Sequence, residues 1–422
     1  MDLLLLSAAG IVALALLFDF SNGFHDAANS IATVVATGAM SARKAVLFSA
    51  VCNFAAYFFV GTAVASTVAK TVNAGNEGAA VVFAGLFAAI AWNYATWYIG
   101  MPSSSSHAII GGLVGAGIAS GGADAVNWKS VRKTVSAIFL SPAVAFGVAV
   151  AGTLVVVVIQ LITRWRNDAR PFKGIQLLSA AAVSLGHGAN DAQKTMGVIA
   201  ALLVSNGYVS QSGHAIPVPW WVGLSAYSAI ALGTMWGGWR IVETMGMRLT
   251  KLDARTGVAA NIGATTAIFG ATHLGIPIST THAAASSVIG AGVAGRRGAN
   301  LRVVGQMAVA WVVTLPATAL VGWLVFQLTE LPTPLAVIGV TIMLGLLLGT
   351  IGWAMLNASG EHRRAEKERS GAATTGPAPT EPARTEPAPA EQIVLPDTAD
   401  LDGNGRPFPA DRTPAKDRTP AV

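Results

Sequence analysis

Apolar residues in this chain gather into long runs, with little of the one-sided periodicity that marks a helix on a water-soluble surface. The runs cover 3–20, 45–69, 79–99, 134–162, 174–186, 217–239, 256–271, 303–328 and 334–356. About 20 successive apolar residues span the hydrocarbon core of a bilayer as a helix, so the pattern predicts an all-α integral membrane protein. Two of the runs are short. The run 3–20 stops at Ser21-Asn22-Gly23 and 174–186 stops at Gly186-His187-Gly188, and each is followed by a semi-apolar piece, 27–40 and 192–204. Two more short segments, 103–120 and 278–294, are rich in Gly, Ala, Ser and Thr. Short, glycine-interrupted segments predict broken helices and two re-entrant hairpin regions. The first run does not read as a cleaved leader. It follows Asp2 where a basic residue is expected and ends on polar 19–22 where a small-residue cleavage site belongs.

The chain repeats itself. Asn22-Gly23-Phe24-His25-Asp26-Ala27 aligns with His187-Gly188-Ala189-Asn190-Asp191-Ala192, and Gly100-Met101-Pro102-Ser103-Ser104-Ser105-Ser106-His107-Ala108 aligns with Gly275-Ile276-Pro277-Ile278-Ser279-Thr280-Thr281-His282-Ala283. Both pairs come in the same order at nearly equal offsets, the mark of an internal duplication. The domain organisation expected from this is a first transmembrane repeat over 1–163, a basic cytoplasmic linker over 164–173 and a second repeat over 174–328. An additional transmembrane helix over 329–356 and a tail over 357–422 complete it.

Charge fixes an expected orientation. Only 11% of residues are charged and mean hydropathy is +0.56, against about a quarter charged in soluble domains. That excludes a soluble enzyme or a nucleic-acid binder despite the net charge of +6. With the N-terminus outside and five crossings per repeat, thirteen Lys and Arg fall in inside loops, among them Arg43, Arg166, Arg240, Arg248 and Arg297. Four fall outside: Lys70, Lys129, Arg132 and Lys133. This positive-inside bias and the odd crossing number predict an inverted-topology repeat. The loop at 128–133 is the misfit. The tail holds 10 of the 19 prolines and little apolar surface, which predicts a disordered, Pro-rich cytoplasmic segment. A single cysteine, Cys52, excludes an internal disulfide.

Residues 1–356 contain ten Asp and Glu. Asp2, Glu77, Asp124, Asp168, Asp253 and Glu330 fall in expected loops or at ends, and Glu243 lies near an inside helix end. Asp19, Asp26 and Asp191 lie at membrane depth, and the last two are repeat mates. An ionised carboxylate there costs about 2.5–3.5 kcal/mol on insertion scales, so a bound cation or proton is the expected compensation. Gly23 and Gly188 are read as sites where the helices unwind beside these carboxylates. Asn22, Asn29, Asn190 and Gln193 supply neutral oxygens or amide donors nearby. The Ser103–Ser106 run and Ser279-Thr280-Thr281 follow Pro102 and Pro277, where hydroxyls and free backbone N–H groups at a helix start cradle an anion. Ordinary capping would use one hydroxyl per motif. His25 and His187 are the proton-relay candidates, whereas His107 and His282 suit structural bridging. Lys194 could neutralise Asp191, meet the anion or snorkel to the inside.

Taken together, the segments GFHDAANSIAT and HGANDAQKTMG with PSSSSH and PISTTH resemble the inorganic phosphate transporter family, in its bacterial low-affinity branch. The resemblance covers roughly 1–355. It implies an inverted-repeat secondary transporter, not an enzyme, that symports phosphate with H+ or Na+ by alternating access in the cell membrane and needs no cofactor. It implies that Asp26 and Asp191 are the essential carboxylates and the place for any sodium. Asn29, Asn190 and Gln193 would be neighbours of the cation or the phosphate, while Ser104, Ser105, Ser106, Ser279, Thr280 and Thr281 would contact phosphate. The family's repeat often reads Gly-x-Asn-Asp, and the first copy here has His25 in place of that Asn, which is similar to the proton-coupled form. A sulfate permease of the same fold, an intramembrane hydrolase and a passive anion channel are the competing readings. The hydrolase lacks a Gly-x-Ser-x-Gly elbow and a His-Glu-x-x-His motif. The expected partners are phosphate, the coupling cation and the bilayer, with no nucleic acid. A homo-oligomer is left open.

Overall fold

The computed structural model describes residues 3–71, 78–164, 170–210 and 216–374, with side chains from 7 to 357 within those limits. Glu77, Arg166, Asp168 and the tail beyond 374 lie outside the described residues. The described residues form thirteen α-helices and no strand. The first repeat comprises α1 (Leu3–Ala36), α2 (Ala42–Ala55), α3 (Ala63–Ala69), α4 (Gly78–Tyr98), α5 (Ser105–Gly121) and α6 (Trp128–Thr163). The second comprises α7 (Arg170–Ser205), α8 (Trp220–Trp236), α9 (Trp239–Glu243), α10 (Ala254–His273), α11 (Thr280–Ala294) and α12 (Leu301–Thr329). A final helix, α13, spans Thr333–Thr374. It runs on past 357 through a stretch rich in Ala, Glu, Lys and Arg, all strong helix formers. Among the described residues, five helices are long and apolar enough to cross a membrane, or six with the bent α2–α3 pair.

The two repeats pack by exchange. α5 and α4 lie on α12, and α11 and α10 lie on α6. In the same way α1 packs on α8 and α7 on α2. Each hairpin, α4–α5 or α10–α11, is therefore held by the long last helix of the other repeat. α6 and α12 both carry an internal proline, Pro142 and Pro316. α5 and α11 are 17 and 15 residues long, short of a full crossing, as the sequence pattern suggests.

The structure corrects three expectations. α1 and α7 run unbroken through Ser21-Asn22-Gly23 and Gly186-His187-Gly188. Their glycines serve contact instead of unwinding. A Cβ on Gly23 would stand 2.1 Å from the Ile230 carbonyl oxygen on α8, and one on Gly188 would stand 2.5 Å from that of Asn53 on α2. Small residues let membrane helices approach this closely. The breaks fall elsewhere: in the hairpin turns after Tyr98 and His273, and between α2 and α3, which meet at 87°. Finally, the presumed loop at 128–133 is the first turn and a half of α6, started by Asn127, whose side chain accepts from the Ser130 N–H.

Candidate functional site

Two helix turns and two carboxylates build the site. Pro102 and Pro277 follow glycines with positive φ, Gly100 (67°) and Gly275 (63°), which reverse the chain before α5 and α11. Ser104 and Ser279 then cap these helices, accepting from the His107 and His282 N–H groups at 3.2 and 3.1 Å. One hydroxyl of each motif is thus spent on capping. Of the next two in each motif, Ser105 and Thr280 donate to Asp26 and Asp191, whereas Ser106 donates to the Ile278 carbonyl at 2.7 Å and Thr281 accepts from Asn29.

Asp26 is 2% exposed and Asp191 fully buried. Carboxylate oxygens of both, with one His187 nitrogen, lie within 4.8 Å of one another. At that spacing two ionised carboxylates repel by roughly 3 kcal/mol at an effective dielectric near 20, so the pair demands positive charge. Around Asp191 the structure places Lys194 Nζ on Oδ1 (2.6 Å), Asn22 Nδ2 on Oδ2 (3.1 Å), the Thr280 hydroxyl on Oδ2 (3.3 Å) and His187 Nε2 3.6 Å away. Around Asp26 stand His25 Nδ1 at 2.5 Å and the Ser105 hydroxyl at 3.4 Å. All of these groups are buried.

The repeat mates divide the remaining work. Asn29 on α1 donates to the hydroxyls of Thr280 (3.2 Å) and Thr281 (3.1 Å), in the opposite repeat's hairpin. Its mate Lys194 on α7 donates to Ser106 at 2.5 Å, again in the opposite hairpin. His25 and Asn190, also mates, each pin their own hairpin. His25 Nε2 lies 3.1 Å from Thr96 Oγ1 and 3.4 Å from Ser103 Oγ. Asn190 donates to Thr272 Oγ1 at 2.9 Å and accepts from the Ile278 N–H at 3.3 Å. An imidazole and an amide thus fill the same structural position.

Two candidates from the sequence turn away from the cluster. Asn190 is engaged by its hairpin turn. Gln193 accepts from the Val64 and Ala65 N–H groups at 2.9 and 3.3 Å, satisfying the start of α3, and donates to the Ala189 carbonyl at 2.6 Å. His107 and His282 meet each other, with ring centroids 4.6 Å apart, and His282 lies 4.0 Å from the Trp311 ring. Asp19, two turns before Asp26, is fully buried. Sequence reasoning missed Thr96 and Asn53. Asn53 Oδ1 accepts from His187 Nδ1–H at 3.2 Å and Asn53 Nδ2 donates to the Thr234 hydroxyl at 2.9 Å, orienting the histidine. Nothing in the sequence marks either one: at the offset of the hairpin motifs Thr96 pairs with Ala271.

A site of paired carboxylates, amides and hydroxyls on two duplicated hairpins suits a small anion together with a cation. Comparison with known proteins gives the family. The description "Phosphate transporter family" matches two segments of the chain, 22–171 and 160–322. A probable low-affinity inorganic phosphate transporter of Rhizobium meliloti (strain 1021) is 47% identical over 327 residues, covering 76% of this chain and 96% of that one. A protein of the same description from Bacillus subtilis (strain 168) is 43% identical over 334 residues, with 76% and 97% covered. Among solved structures, one titled "The sodium-dependent phosphate transporter" superposes with a TM-score of 0.68 at 24% identity over 78% of this chain and all of its own, a likeness of fold. The duplicated motifs, the helical membrane architecture and these matches show that the chain belongs to the phosphate transporter family.

Proposed function

We propose that the protein is a symporter that carries inorganic phosphate into the cell by alternating access, driven by the proton gradient, with sodium as the alternative coupling ion. The observation that carries this reading is the meeting of Asp26 and Asp191, one from each repeat, beside Ser105, Ser106, Thr280 and Thr281 in a fully buried cluster. Hydroxyls donate to and accept from a protonated phosphate. The carboxylates accept from its O–H groups and hold the compensating cation. Sulfate carries no proton at neutral pH, so these carboxylates disfavour it. Asn22 and Asn29 bring amide oxygens to the same place, and His25 and His187, each touching one aspartate, are the groups through which a proton reaches them.

The repeats, 1–163 and 174–328, are oppositely oriented in this reading, with 164–173 and the tail on the cytoplasmic side. The exchanged packing supports rocking of one repeat against the other, since each hairpin is gripped by the other repeat's last helix. α13 stands outside the duplication.

Uptake of labelled phosphate into proteoliposomes, with imposed proton or sodium gradients, tests this. Gradient-driven accumulation is expected. Asp26→Asn and Asp191→Asn should abolish it while the protein still inserts, and excess sulfate should compete poorly. Equilibration without accumulation would mean a passive channel, and full uptake by either variant would remove the carboxylates from coupling.

A further inference from the structure

The two half-sites are built on corresponding residues, but their chemistry differs. On α1 one face carries Asn22, Asp26 and Asn29; their mates on α7 are His187, Asp191 and Lys194. The α1 set is a set of oxygens. Asn22 Oδ1 and Asn29 Oδ1 are both buried with no hydrogen-bond partner, and they flank a carboxylate that receives only His25 and Ser105. Buried amide oxygens lacking donors can accept from a carboxyl that has taken up a proton, or ligate a hard cation. The α7 set already contains a cation. Lys194 is fully buried, and its ammonium bonds both Asp191 Oδ1 and the Ser106 hydroxyl. It sits between the carboxylate of its own repeat and the hydroxyl hairpin of the other, where its mate Asn29 spans only to hydroxyls.

We propose that Lys194 is a resident counter-ion: its ammonium takes the place of a mobile cation at Asp191, so the coupling ion enters only at Asp26 and transport does not require sodium. The inference rests on the cation-coupled phosphate reading above and assigns Lys194 as the residue that sets the number and kind of ions used. Three donors already bond Asp191, one of them the Lys194 ammonium, whereas Asp26 receives two and has the orphan amide oxygens beside it. Replacing the ammonium with the amide found at the mate position would recreate the oxygen set on the second side.

The test is Lys194→Asn, with Lys194→Arg as the charge-conserving control and Lys194→Asn/Asp191→Asn to locate the effect. Initial phosphate uptake by wild type in proteoliposomes, at fixed pH and voltage, should be the same with sodium or choline outside. Lys194→Asn should be slow in choline and gain about tenfold in sodium, within the usual range of coupling between two bound ligands. Lys194→Arg should stay indifferent to sodium; the double variant, which lacks the carboxylate that uptake needs, is read by thermal unfolding, where sodium should not stabilise it. Thermal unfolding in detergent without phosphate gives a second readout: sodium should stabilise Lys194→Asn over choline, and not wild type. Sodium-dependent uptake by wild type would overturn the proposal. So would Lys194→Asn that neither transports faster nor melts higher in sodium, including one whose lost phosphate affinity sodium does not restore, which would make Lys194 a phosphate ligand or a packing residue. Absence of phosphate uptake by wild type would strike the symport reading and leave the sodium-dependent melting to decide this one.

Discussion

Asn22 donates its amide to Asp191 at 3.1 Å, joining residues 169 apart in sequence and one from each repeat. In sequence Asn22 is marked by its place at the head of the first repeated motif, four residues before Asp26. A buried hydrogen bond to a charged group contributes about 1.5–3 kcal/mol. Asn22→Ala should therefore lower kcat/KM for phosphate roughly ten- to hundredfold, and Asn22→Asp, which sets a third carboxylate against the pair, should lower it further. Uptake kinetics equal to wild type in both would remove Asn22 from the site.

The glycines ahead of the aspartates are packing residues. Gly23→Ala and Gly188→Ala each force a methyl against a backbone carbonyl, which overpacking costs put at about 1–3 kcal/mol apiece. Gly10→Ala, where nothing lies within 4 Å of the added carbon, should leave stability equal or higher. Thermal unfolding in detergent distinguishes these, and a Gly23→Ala protein as stable as wild type would contradict close contact between α1 and α8.

Capping and ligand hydroxyls separate by assay. Ser104→Ala and Ser279→Ala should lower stability by about 1 kcal/mol each, the usual worth of a cap, with modest effect on KM. Ser105→Ala and Thr280→Ala, whose hydroxyls reach Asp26 and Asp191, should raise KM for phosphate with smaller loss of stability. The reverse ordering would exchange the roles.

Gln193 ties α7 to the start of α3. Gln193→Leu leaves two buried N–H groups without an acceptor, at about 1–3 kcal/mol for each. Faster hydrogen exchange at Val64 and Ala65, read by mass spectrometry, is the expected outcome. Unchanged exchange there, with phosphate affinity lost, would return Gln193 to the substrate site.

Much of the fold was legible because membrane residence writes itself in composition. Apolar runs of bilayer length, few charges and two duplicated motifs identify a helical membrane protein, the short α5 and α11, and the pair Asp26 and Asp191. Carboxylates are costly enough in that setting to stand out singly. The same logic does not reach polar residues whose partners come from distant helices. Asn190 and Gln193 sit beside Asp191 in sequence, yet one serves a hairpin turn and the other the start of α3.

The chain by itself determined which residue types stand at membrane depth and which positions are duplicated. The tertiary structure alone decided that α1 and α7 continue through Gly23 and Gly188, because a glycine in an apolar helix reads the same whether it permits a break or the close approach of another backbone. It also decided the place of Lys194. A flexible side chain with a charged end can reach water, an anion or a carboxylate with equal ease, and the arrival of Ser106 from a distant helix, opposite the neighbouring Asp191, selects one.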